Sequence, residues 1–108
     1  MKNVVVKVDP GVCGFPCTVV ARPSGKKSTA IEILECGCTM VQKMSETLSE
    51  IRLNDLFIPI TRHPVMAAAE TARCHLACPV SVAVFKAAEV ALGMAVPKDV
   101  VLKIEKEE

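Results

Sequence analysis

Alternating apolar and polar positions in the first third of the chain predict a run of β-strands. Val4, Val6 and Val8 alternate with positions that include Lys7, which is typical of a strand with one apolar face. A second strand is expected over about residues 17–22 and a third over about 28–35. The segment between them contains proline, serine and glycine, which are the residues of a hairpin turn.

The apolar spacing then changes to three and four residues, which predicts a first helix after Cys38. Thr39 with Gln42 has the form of a capping box at its start. Five apolar residues would share one face of this helix: Met40, Val41, Met44, Leu48 and Ile51.

Two prolines predict where the later helices begin. Pro64 suits the first position of a second helix that runs to about Ala77, and Pro79 suits the start of a third over residues 80–92. Because the third helix is apolar on nearly every side, we expect it to be the buried central helix. Alternation over residues 100–104 predicts a last strand that enters the sheet beside the first.

The predicted order of elements is β-β-β-α-α-α-β. Strands in a run followed by helices in a run favour an α+β fold. We therefore expect residues 1–108 to form a single α+β domain, a two-layer sandwich in which three helices cover one face of a mainly antiparallel four-stranded sheet.

Composition and charge exclude several classes of protein. A hydrophobic fraction of 51% argues against disorder, and a net charge of +1 gives no general attraction to nucleic acid or to a membrane surface. The N-terminus does not resemble a secretory signal, and the uncharged stretch 74–85 is shorter than the roughly 20 residues of a membrane span. We expect a cytoplasmic protein with reduced thiols, without a nucleic-acid or membrane partner.

The chemistry of the chain is concentrated in its six cysteines. They fall in pairs at predicted junctions between elements: Cys13 with Cys17, Cys36 with Cys38, and Cys74 with Cys78. Cys38 and Cys78 directly precede predicted helices, whose N-terminal partial positive charge favours the thiolate over the thiol. Thiolates are the form of cysteine that binds metals and attacks disulfides.

A metal site from Cys13, Cys38, His75 and Cys78 is the leading hypothesis. This set would hold zinc as a Cys3His site, and a thiolate-bound iron–sulfur cluster is the related possibility. The paired C-x2-C spacing typical of such sites is absent. Three further cysteines are second-tier candidates for ligands or redox groups: Cys17, Cys36 and Cys74. The predicted role is that of an accessory or sensor protein rather than an enzyme.

Two alternatives from other classes remain open. In the first, the protein is a structural or interaction module, as a homodimer or a partner subunit, whose cysteines are reduced, buried and chemically silent. In the second, the thiols form a redox switch. His63, which precedes Pro64, is expected to cap a helix or lie in a loop rather than bind a metal, and no arrangement of residues predicts a catalytic site.

Four stretches of the chain, residues 8–15, 38–42, 75–80 and 89–100, resemble a family of small uncharacterised cysteine-containing proteins from methanogenic archaea and anaerobic bacteria. The resemblance implies a one-domain α/β protein in the cytoplasm of strict anaerobes, where metal and iron–sulfur proteins are abundant. It implies no particular activity. The matching motifs contain Cys13, Cys38, His75 and Cys78, whereas Cys17, Cys36 and Cys74 have no counterpart in the resemblance.

Overall fold

The predicted N-terminal strands are present and pair in one antiparallel sheet. The computed structural model describes residues 2–107, with every side chain in that range except that of Cys13. The strands are β1 (Val4–Val8), β2 (Cys17–Gly25) and β3 (Ser28–Leu34). Ala21 of β2 lies opposite Val4 of β1 and Ile31 of β3, so apolar side chains line up across the strands on one face of the sheet.

The fourth strand of the sheet is not the predicted C-terminal one. Strand β4 (Glu50–Arg52) pairs with β3, where Ile51 lies opposite Thr29, and the sheet has the order β1-β2-β3-β4. Residues 100–104, which we predicted as the last strand beside β1, form neither strand nor helix and are exposed to solvent. The α+β class with a four-stranded antiparallel sheet and three helices is confirmed, but the order of elements is β-β-β-α-β-α-α.

The first helix is shorter than predicted because its last apolar position belongs to the sheet. Helix α1 spans Thr39–Thr47, and Leu48 already has an extended backbone. Ile51 fits the helical spacing and the strand alternation equally well, and pairing with β3 decides between them. The predicted capping box is wrong as well: the cap residue is Cys38, and the Gln42 side chain donates instead to the carbonyl of Cys36 at 2.7 Å.

The other two helices begin at the predicted prolines. Helix α2 (Pro64–Thr71) is capped by His63, whose Nδ1 accepts the backbone N–H of Val65 at 3.1 Å, as expected for a capping residue. Helix α3 (Pro79–Ala91) ends just before Gly93, whose φ of 79° is a conformation that favours glycine. Within residues 2–107, no helix has the length and apolarity needed to cross a bilayer.

Helix α3 is the buried helix that its composition predicts. It packs against β1 and β2, and three of its residues, Val84, Ala87 and Ala88, are fully buried. Small side chains in the middle of α3 let its backbone approach the sheet closely. Helix α1 is joined to this layer through Met44, whose sulfur accepts the Ser81 hydroxyl at 3.8 Å. The core therefore lies between one face of the sheet and the helices.

Candidate functional site

Two of the cysteines lie at the starts of helices, as the sequence predicts. Cys38 caps α1 and Cys78 caps α3, each with an extended backbone and without a hydrogen bond from its side chain to the helix. Both are half-buried free thiols. Each thiol therefore lies beside the free backbone N–H groups with which a helix begins.

The connection between α2 and α3 carries a third free thiol and the candidate histidine. Helix α2 ends earlier than predicted, because Arg73 adopts a left-handed conformation with φ 59° and reverses the chain. The N–H of Cys74 donates to the carbonyl of Ala69 at 2.9 Å, and the N–H of Cys78 donates to the carbonyl of His75 at 3.0 Å. These bonds hold Cys74, His75 and Cys78 in one compact turn.

These residues border a single cavity of about 170 Å³. Cys38 approaches it from α1, whereas Cys74, His75 and Cys78 approach it from the turn before α3. The rest of its lining is mostly apolar: Pro10, Val12, Phe15, Met40, Val41, Ala77, Pro79 and Val80. The fold thus brings together Cys38, His75 and Cys78, which the sequence analysis placed in one site, although they come from distant parts of the chain.

Cys74 belongs to the same group, although the sequence analysis ranked it only as a second-tier candidate. Burial raises the pKa of the Cys74 thiol, and the charges of Cys78 and Cys38 raise it further. Cys38 and Cys78 are therefore close enough to Cys74 for their charges to act on it. A signal was present in the sequence, since Cys74 and Cys78 lie in the same short connection between two helices.

Cys17 and Cys36 form a disulfide at the edge of this group. Cys17 begins β2 and Cys36 follows β3, and antiparallel pairing brings their Cα atoms to 4.4 Å, within the range of disulfides. The disulfide corrects the interpretation in which all the cysteines are reduced. It also joins one member of each of two sequence pairs, since Cys17 is paired with Cys13 in the sequence and Cys36 with Cys38. Cys17 is buried and lines the cavity.

The loop before β2 forms another wall of the cavity. Pro10, Val12 and Phe15 line it, and the Phe15 ring packs over Gly37, where a Cβ would lie 3.0 Å from its Cδ1 atom. The absence of a side chain at residue 37 is therefore what lets Phe15 close over this end of the cavity. The Cys13 side chain lies outside the described part of the structure, so its predicted role as a ligand stays a prediction.

The described side chains surround the cavity but do not form an assembled metal site. Among them, no three histidine, cysteine, aspartate or glutamate side chains converge closely enough to hold an ion. His75 is exposed, while Cys38, Cys74 and Cys78 are half-buried. The arrangement is a group of thiols around a small apolar space, next to a disulfide.

Comparison with known proteins yields a family but no activity. A family model described as a family of unknown function (DUF6951) matches residues 4–104. No curated protein and no solved structure matches the chain. The matched range contains every cysteine and both histidines of the sequence, so all the candidate residues lie within the family's unit.

Proposed function

The chain belongs to this family of unknown function, DUF6951. From its free thiols we propose that it binds either a thiophilic metal ion, zinc or iron, or an iron–sulfur cluster. In this proposal Cys38, Cys74 and Cys78 supply thiolates, and Cys13 or His75 completes the set. The observation that carries the proposal is that Cys38 meets Cys74 and Cys78, which come from a distant part of the chain, around one cavity. The proposed role is accessory or sensory.

The electrostatics of the thiol group suit a cation. Burial raises the pKa of Cys74 most, and the charges of Cys78 and Cys38 raise it further, so a Cys74 thiolate beside other thiolates is disfavoured when nothing compensates their charge. A bound cation would remove this penalty, and its binding would release protons from the thiols. Soft thiolate ligands select zinc and iron–sulfur clusters over calcium and magnesium.

The positions of the thiols leave room for them to turn towards a common ion. Each lies on a cap or a turn rather than within the sheet, and each borders the cavity. In this proposal the side chains turn towards the ion and the site closes when the metal binds.

A thiol–disulfide switch is a second candidate, and the Cys17–Cys36 disulfide is the observation that favours it. In such a switch, a thiolate such as Cys38 attacks one sulfur of the disulfide. One new S–S bond forms, the old one breaks, and the other sulfur leaves as a thiolate, without net oxidation or reduction. Cys17 lines the same cavity as Cys38, so the disulfide and a free thiol border the same space.

Metal binding is tested on reduced protein prepared without oxygen. The chain contains neither tryptophan nor tyrosine, so a thiolate-to-iron absorption band would stand out against weak protein absorption. Elemental analysis detects zinc, which is colourless. We expect stoichiometric binding of Zn²⁺ or Fe²⁺, with Cys38→Ser, Cys74→Ser and Cys78→Ser each weakening it.

Control variants separate the ligands from their neighbours. The double variant Cys17→Ser/Cys36→Ser should retain the metal, whereas Cys13→Ser and His75→Ala identify the remaining ligand. Folded, reduced protein that binds neither Zn²⁺ nor Fe²⁺ would contradict the proposal. Mass spectrometry of protein that keeps its disulfide, finding Cys38 bonded to Cys17 or Cys36, would favour the switch, and thiols that neither bind metal nor exchange would favour a structural module.

A further inference from the structure

The segment after α3 has the sequence of a strand, but within the part of the chain that the structure describes it pairs with no strand. Residues 100–104 contain Val100, Leu102 and Ile104 at alternate positions, and these side chains are 58%, 82% and 94% exposed. An alternating apolar segment of this length is typical of a strand with one buried face. A run of large apolar side chains in solvent is unusual unless another surface covers it.

Strand β1 offers an open edge of the same length. It is the first strand in the sheet order, and among residues 2–107 it pairs with β2 alone, so its other side presents backbone N–H and C=O groups that no strand in this range pairs with. Val4, Val6 and Val8 point towards the helical layer and are only half-buried. A further strand beside β1 would satisfy the backbone groups and cover these valines.

We propose that residues 100–104 of one chain pair antiparallel with β1 of a second copy, and that the exchange is reciprocal. Each sheet then gains a fifth strand from the other chain, in a dimer with twofold symmetry. Within one copy, the segment stays in solvent although the edge of β1 is open in the same chain. The family model extends to residue 104, so this segment is part of the unit that defines the family.

The alternation of side chains fits this pairing. With Leu102 opposite Val6, the register sets Val100 beside Val8 and Ile104 beside Val4. Because facing residues in a sheet point to the same side, the apolar side chains of the segment would lie on the helical side of the sheet. A shift by one residue would turn them to the opposite face.

Charge selects the antiparallel direction. In the antiparallel register Lys103 lies opposite Val5, whereas a parallel arrangement with Leu102 opposite Val6 would set Lys103 directly opposite Lys7. Beyond the paired residues both directions bring like charges together, as with Lys106 and Lys2 in the antiparallel case, so the difference lies within the strand. Opposite charges across neighbouring strands stabilise a pair, and like charges destabilise it.

The test is the mass of the full chain in solution across a dilution series, measured by light scattering. We expect a dimer, and a monomer after truncation following Asp99. Leu102→Asp should raise the dimer dissociation constant at least about tenfold. The matched variant Val101→Asp, on the opposite face of the proposed strand, should raise it much less. Circular dichroism verifies that these variants fold, which is expected because the segment lies outside the core.

Three results would overturn the proposal. The first is a full chain that stays monomeric throughout the series, including one in which the segment folds back on its own β1. The second is a truncated chain that still dimerises, since another surface would then hold the copies together. The third is an equal effect of Leu102→Asp and Val101→Asp, which would contradict the strand register. None of these measurements depends on metal binding, so the two proposals succeed or fail separately.

Discussion

The layer between the sheet and α3 differs from the thiol-lined end of the molecule in how tightly it is packed. Val19 and Val84 are 0% exposed and lie in the middle of their elements. Cys74 and Cys78 are about as small, yet they are half-buried, lie where elements meet and border a cavity. The thiol-lined end of the molecule is therefore the more loosely packed of the two regions.

Cys17 belongs to the packed layer, so cysteines are not confined to the thiol-lined end of the molecule. Cys17 is 3% exposed and belongs to the same core as Val19, two residues further along β2. It is also the cysteine that is bonded to Cys36. Burial and the disulfide therefore distinguish Cys17 from the free thiols, although all of them border the same cavity.

The largest expected effect comes from truncating a side chain in the packed region. Met44→Ala should lower the free energy of unfolding by about 2–5 kcal/mol, because it leaves a cavity and removes the partner of the Ser81 hydroxyl. Cys78→Ala should cost less than about 1.5 kcal/mol, since the site already borders a cavity. Denaturant unfolding of metal-free protein measures both. Equal losses would mean that Cys78 is an ordinary core residue.

A second, smaller effect concerns pH and the packed region. Burial lowers the pKa of His63 below its ordinary value, against an opposing effect of Asp55. As the pH falls, His63 therefore becomes protonated in the unfolded chain before it does in the folded chain. The contribution of His63 to stability is complete above about pH 6.5 and declines below it.

The measurement is the free energy of unfolding at about pH 7.5 and at about pH 5.5. His63→Asn is the matched control, because asparagine can still cap α2 but does not titrate. The wild-type chain should lose more stability than the variant over this interval. Parallel losses in the two proteins would show that His63 is as easily protonated in the folded chain as in the unfolded one.

The smallest effect is expected at the thiols and reports their proximity. In the reduced, metal-free protein, Cys38→Ser should shift the pKa of Cys74 downwards, because it removes one of the two charges that raise it. The alkylation rate of Cys74, read by peptide mass spectrometry as a function of pH, measures this shift. Met40→Leu, which changes an uncharged residue of the same cavity, is the control. An unchanged pH profile would mean that the charge of Cys38 does not affect the pKa of Cys74.

The comparison between sequence and structure shows where local patterns are sufficient. Val4, Val6 and Val8 identify β1 because strand alternation leaves one face for the core, and Pro64 and Pro79 identify helix starts because proline suits a first turn. Ile51 was assigned wrongly because its spacing suits a helix and a strand alike. Only its pairing with β3 separates the two.

The candidate site shows the same division. That Cys38 and Cys78 precede helices follows from local sequence signals, and the structure confirms it. The approach of Cys38 to Cys74 and the bond between Cys17 and Cys36 required the fold, because each depends on how distant segments meet.

By itself, the sequence determined the α+β class, the first three strands, the helix starts and the junction positions of two free thiols. These features depend on alternation, on proline and on helix caps, which act over a few residues. Tertiary structure alone decided that β4 rather than residues 100–104 completes the sheet, and which sulfurs face one cavity. Such choices depend on contacts between segments far apart in the chain, where a local pattern fits more than one partner.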